Sequence, residues 1–216
     1  MQLSTMEDAM NIISILGSFV LAISGTLTAM SKRFDAFGVL IIAFVTAVGG
    51  GTIRDMLLTG RSAFWIEQTG YIHIIMVGTI FAVVFRSRLL HIHRPLVFFD
   101  AIGLALYTIT GVQIGIEYEL AAVNCIILGT ITGVFGGILR DILTNEVPVI
   151  FKKEVYATVC ILGSIFYLLL NHFEVINPVL QIVPVLFIIV IRLLVVHYNI
   201  SLPSLYRKED RQMLED

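Results

Sequence analysis

The stretch Thr46-Ala47-Val48-Gly49-Gly50-Gly51-Thr52-Ile53-Arg54-Asp55-Met56-Leu57 is met again as Thr132-Gly133-Val134-Phe135-Gly136-Gly137-Ile138-Leu139-Arg140-Asp141-Ile142-Leu143. Thr46 and Thr132, Val48 and Val134, the glycine pairs, Arg54-Asp55 and Arg140-Asp141, and Leu57 and Leu143 all match at one offset of 86 residues. The same offset pairs Gly17 with Gly103, and Ser24-Gly25 with Thr110-Gly111. One ungapped offset joining two hydrophobic segments per half marks a duplicated unit. Each unit carries adjacent glycines beside an ionisable pair within an apolar run.

Composition sets the environment. The chain has 216 residues, is 57% hydrophobic and 14% charged, and has a mean hydropathy of +0.93. These values lie far from those of a soluble domain. With a formal net charge of -2 and basic residues in short clusters between apolar runs, nucleic acid is not an expected partner. Cys125 and Cys160 both fall in apolar segments, which argues against a disulfide framework or a metal knuckle. Glu7 and Asp8 stand where a signal peptide would carry positive charge, so the first apolar run reads as a retained span.

About 20 apolar residues cross a hydrocarbon core of about 30 Å as a helix. Seven segments qualify, at about 11–30, 36–58, 71–86, 96–116, 120–143, 154–171 and 178–199. With no water to satisfy backbone groups in lipid, these runs must be helical. The expected fold is an all-α membrane protein of seven transmembrane helices, two inverted three-helix repeats plus a seventh helix. It forms a single transmembrane domain over 1–216, with repeat one at about 9–88, repeat two at about 95–172, the added helix at about 178–199 and a tail at 200–216. Inversion follows from the odd number of spans per repeat. Lys32, Arg33, Arg86, Arg88, Arg94, Lys152, Lys153, Arg207, Lys208 and Arg211 gather on one side, while Arg61 is the clear loop cation on the other. The positive-inside rule then puts the amino terminus outside and the carboxy terminus in the cytoplasm.

Adjacent glycines tolerate irregular dihedrals, so a kink or unwound turn is expected at Gly49-Gly50-Gly51 and at Gly136-Gly137. Carbonyls freed there could coordinate a cation, which places an ion near Gly50 and Gly137. Arg54, Asp55, Arg140 and Asp141 lie within a turn of the glycines, and ionisable groups within spans are costly unless they pair or see water. The alternative is structural: glycines at helix-packing spacing (Gly133 and Gly137, Ala47 and Gly51), with the charges as interfacial anchors. Thr46 and Thr132 are supporting members of the motif. Asp100 opens the fourth span, either to pair with Arg140 and leave Asp141 for a cation, or simply to cap the helix; its counterpart in repeat one is Ser14. Arg192 either snorkels to the headgroups or meets a carboxylate near the pathway. Pro184 stands inside the seventh span, where it could kink the helix. The basic loop around His91 and His93 is a positive-inside signal, with an anionic lipid as a further candidate partner.

These features resemble the bacterial branch of the trimeric intracellular cation (TRIC) channels. The resemblance rests on Gly-Gly-Gly-Thr-Ile-Arg-Asp at 49–55, Gly-Gly-Ile-Leu-Arg-Asp at 136–141 and Lys153-Glu154-Val155-Tyr156-Ala157, and spans nearly the whole chain short of its last fifteen or so residues. It implies a homotrimer in a bacterial inner membrane with one pore per protomer, lined by kinked spans two and five, and potassium or sodium as the permeant monovalent cation. The constriction would fall at Gly49, Gly50, Gly51, Arg54 and Asp55 with Gly136, Gly137, Arg140 and Asp141. Animal members bind phosphoinositide through a lysine at the kinks, a residue this chain lacks there. Related repeats are also catalogued as glycine transporters, so a carrier of a small amino acid is the competing function. No hydrolase or phosphate-loop motif is present, and all four lysines lie in loops or the tail, which excludes a retinal Schiff base.

Overall fold

The computed structural model describes residues 2–92, 94–152 and 155–201, apart from the side chains of residues 2–9, 177 and 178. His93, Lys153, Glu154 and the tail cations Arg207, Lys208 and Arg211 lie outside the described residues. Among the described residues, seven helices of 15 or more residues are present: α1 (Gln2–Ser31), α2 (Ala36–Leu57), α4 (Gly70–Val84), α6 (Pro95–Glu117), α7 (Ala122–Leu143), α8 (Ala157–His172) and α9 (Asn177–His197). Five are long and apolar enough to cross a membrane alone. Helices α4 and α8, with 15 and 16 residues, reach only about 23–24 Å at 1.5 Å per residue. The connections hold two unexpected single-turn helices, α3 (Phe64–Glu67) and α5 (Arg86–Leu89), and a 3-10 turn at Val149–Phe151.

Local signals end these helices. Asp35 caps α2, its Oδ1 accepting from the Gly38 N–H at 2.7 Å. At the far ends of α1, α6, α7, α8 and α9, a left-handed residue (Arg33, Glu119, Asn145, Glu174 and Asn199) follows the last turn. The next N–H then reaches back to a carbonyl five residues earlier, as Phe34 does to Ala29 and Glu146 to Asp141. This closure satisfies carbonyls that would otherwise face lipid or a neighbouring helix unpaired. Pro184 is accommodated within α9, which continues through it as one helix.

Equivalent helices of the two repeats pack on each other, α1 on α6 and α2 on α7. A Cβ added to Gly50 would stand 2.0 Å from the Thr132 carbonyl oxygen, and one added to Gly136 would stand 2.3 Å from that of Thr46. Likewise, Gly17 sits against the Tyr107 ring and Gly103 against the Leu21 side chain. Each contact is matched by its counterpart with the repeats exchanged, the signature of a two-fold axis. Because residue 46 meets 136 while 50 meets 132, the paired helices run antiparallel, so one repeat is inverted relative to the other.

The glycines correct one expectation. Helices α2 and α7 run without interruption through Gly49-Gly50-Gly51 and Gly136-Gly137. There is no unwound turn and no freed carbonyl, and the α2–α7 contact leaves no room for an ion beside Gly50. Absent side chains serve close approach of two backbones, the packing alternative.

Candidate functional site

The two Arg-Asp pairs lie at opposite ends of the bundle and are buried, not interfacial anchors. Relative exposures are 3% for Arg54, 0% for Asp55, 0% for Arg140 and 6% for Asp141. Each arginine folds back onto the aspartate that follows it: Arg54 Nε donates to Asp55 Oδ1 at 2.8 Å and Arg140 Nε to Asp141 Oδ1 at 2.9 Å. The second carboxylate oxygen accepts a backbone N–H from the connection ahead, Phe64 at 2.9 Å and Val149 at 3.1 Å. Each aspartate thus straps a helix end to its loop. Asp141 is not left available for a cation, contrary to the sequence expectation.

Beyond this shared core the clusters diverge. At the Arg140 end, Nη1 donates to Asp100 Oδ1 at 2.6 Å and to Ser24 Oγ at 2.8 Å. The cross-helix pair between Asp100 and Arg140 therefore forms, and Asp100 sits within the first turns of α6 rather than capping it. Tyr156 OH donates to Asp100 Oδ2 at 3.0 Å. Arg192 lies 4.8 Å over the Tyr156 ring and is 2% exposed, so it does not snorkel to the headgroups. One arginine holds two carboxylates here, with a second guanidinium behind the tyrosine. At the Arg54 end, Arg61 Nε also reaches Asp55 Oδ1, at 2.9 Å, so two arginines share one carboxylate. Arg54 and Arg61 line a cavity of about 70 Å³ with Ser14, Gln68, Tyr71 and Thr110 among its other walls.

Between the ends runs a short polar line on α1. Ser18 Oγ and Tyr107 OH are 2.8 Å apart, and Ser24 receives Arg140. Six residues, about 9 Å of helix, separate the two serines. Leu21 fills that interval, packed on Gly103 and 3% exposed, while Tyr107 packs on Gly17 and is 2% exposed. Leu21 and Tyr107 thus close the interval between the two serines by packing.

The other predicted residues divide by role. Thr46 and Thr132 hydrogen-bond carbonyls of their own helices, Ile42 and Leu128, each at 2.6 Å. Their hydroxyls seat Gly25 and Gly111. Gly49 packs on Leu139 and Gly51 on the Phe64 ring, whereas Gly137 faces the Tyr156 hydroxyl and the Asp100 carboxylate. Ser14 and Tyr71 both line the cavity at the Arg54 end. Reading the sequence missed Arg61 and Tyr71 at the Arg54 end, and Ser18, Ser24 and Tyr107 in the polar line. A signal existed for one of them: Tyr71 and Tyr156 are related, but at an offset of 85, as are Phe64 and Val149. The second repeat is one residue shorter between its aspartate and its loop, which hides the match at 86.

Comparison with known proteins agrees with this geometry. The profile of the glycine transporter family matches residues 11–87 and again 97–172, once in each repeat. A UPF0126 membrane protein of Vibrio cholerae is 38% identical over 200 residues, 89% of this chain and 81% of its own. The UPF0126 inner membrane protein YadS of Escherichia coli is 37% identical over 194 residues, 89% of this chain and 94% of its own. Among solved structures, the TRIC trimeric intracellular cation channel orthologue of Rhodobacter sphaeroides superposes with a TM-score of 0.83 at 30% identity, covering 89% of this chain and 99% of that one. With the profile present in both repeats and two such relatives aligned along most of its length, the chain belongs to the glycine transporter (UPF0126) family and is a homologue of the TRIC cation channels.

Proposed function

We propose that the protein is a monovalent cation channel, potassium its main ion, acting as a homotrimer in a bacterial inner membrane with one conduction path in each protomer. The observation that carries this reading is the whole-chain likeness to the Rhodobacter sphaeroides channel. The polar line agrees with it: Ser14, Ser18, Tyr107, Ser24, Arg140 and Asp100 follow one another along α1, α6 and α7 from one face to the other. Such groups are costly inside a bilayer and commonly mark a pathway. In this reading the Leu21–Tyr107 interval is the closed gate, and the ion passes on the Gly137 and Asp100 side, since Gly50 is sealed by Thr132. The amino terminus is outside, on the positive-inside argument.

The test is current across a planar bilayer holding the purified protein under a potassium chloride gradient. Discrete unitary steps reversing near the potassium potential support a channel, and Leu21→Ser should raise the open fraction several-fold by wetting the closed interval. A carrier of a small amino acid remains the second reading, favoured by the family's description and by the paired guanidiniums of Arg54 and Arg61. A silent bilayer together with saturable glycine counterflow in liposomes selects the carrier.

A further inference from the structure

The internal repeat supplies its own template for a binding site. In the second repeat, the Asp100 carboxylate is held by Arg140 and Tyr156, and Arg140 is steadied by Ser24. With the repeats exchanged, Asp100, Arg140 and Ser24 correspond to Ser14, Arg54 and Thr110, at the offset of 86, and Tyr156 to Tyr71, at 85. All four line the cavity of about 70 Å³. Where repeat two places its own carboxylate, repeat one thus has a serine and a cavity walled by the same arginine, tyrosine and hydroxyl partners.

Charge agrees with shape. Among the described residues, Arg54 and Arg61 share the single carboxylate of Asp55, and Arg54 is buried. Arg61 has no counterpart cation in repeat two, where the aligned positions hold Glu146 and Val147. Arg54 is matched by Asp55, and Arg61, 27% open to solvent, is the second cation, so an anion entering the cavity finds a charge-assisted partner there. The cavity volume corresponds to about two waters of liquid, the size of a carboxylate bearing one or two carbons.

We propose that this cavity is a binding site for a small carboxylate, which takes between Ser14, Arg54, Arg61 and Tyr71 the place that Asp100 takes in the second repeat. The site lies at the Ser14 end of the polar line read above as a path, and its occupant would neutralise the mouth of that path.

The test is thermal unfolding of the purified full-length protein in detergent, titrated with sodium formate or sodium acetate against a bulky sulfonate salt at equal ionic strength. Formate and acetate should raise Tm saturably while the sulfonate does not. Arg61→Gln, which removes the excess charge and one donor, should weaken the response about tenfold. Ser14→Asp supplies the carboxylate internally; it should raise Tm on its own and abolish the formate response. Ser14→Asn has the same shape without the charge and should give no such rise. Wild-type protein indifferent to formate and acetate overturns the proposal, as does a response unchanged in Arg61→Gln, or Ser14→Asn stabilising as much as Ser14→Asp. If Ser14→Asp does not fold, the wild-type titration and Arg61→Gln decide alone. Because no current is read, failure here leaves the channel reading untouched, and a silent bilayer leaves this site untouched.

Discussion

Asp55 is the residue on which the Arg54 end depends. It pairs with two guanidiniums and accepts the Phe64 N–H. Asp55→Asn leaves a buried guanidinium uncompensated, and removing one member of a buried pair costs about 3–5 kcal/mol. A fall in Tm well beyond that of Asp100→Asn, where Arg140 keeps Asp141, is the expected result in detergent; equal falls would mean that the two ends share their load differently. A second charge pair is open to solvent. Lys32 hydrogen-bonds Glu146, tying the end of α1 to the connection after α7, and so holds that carboxyl below its usual pKa. A depressed carboxylate contributes stability that is present above its unfolded pKa and lost as pH falls through the folded value. Amide exchange in residues 144–147 should therefore quicken, relative to its intrinsic rate, below about pH 4.5. Glu146→Gln should exchange faster already at neutral pH and lose this pH dependence. The pair is exposed, so the effect is local and salt-sensitive.

At the scale of elements, the crossing of α2 on α7 rests on hydrogen atoms in place of side chains. A methyl at Gly50 meets a backbone carbonyl that cannot swing aside, whereas one at Gly49 meets the flexible tip of Leu139. Gly50→Ala should cost about 1–3 kcal/mol through overpacking, Gly49→Ala clearly less, and Gly70→Ala, with nothing within 4 Å, close to nothing. Chemical or thermal unfolding of the three variants ranks them; a Gly50→Ala protein as stable as wild type would detach the glycines from packing. Helices α4 and α8 are short for a bilayer core. They stand beside the four crossed helices, α4 on α1 and α2, α8 on α6, α7 and α9.

For the whole molecule, inversion places Arg54 and Arg140 at opposite faces, and the basic loops choose which face is which. Cys125 and Cys160 are buried, so added cysteines report alone. Ser62 and Ser87, both exposed, lie at opposite ends of α4. A Ser62→Cys protein should react with an impermeant maleimide on intact cells, and Ser87→Cys only after permeabilisation. The reverse pattern would invert the topology and exchange the roles of the two clusters.

The sequence by itself determined the seven spans, the duplication and its inversion, because apolar length and a conserved offset within one chain are local quantities that lipid and parity convert directly into topology. It also placed Arg54, Asp55, Arg140 and Asp141 as special, since charge inside an apolar run announces itself. What the glycines do was decided only in three dimensions. A Gly-Gly pair is equally consistent with an unwound turn and with a tight crossing, and the Thr46 and Thr132 carbonyls that select the crossing lie 86 residues away along the chain. The same holds for the difference between the two ends. Which aspartate reaches which arginine, and that Ser14 faces a cavity where Asp100 faces Arg140, depends on side chains brought together from four helices, a relation that no single segment of the sequence contains.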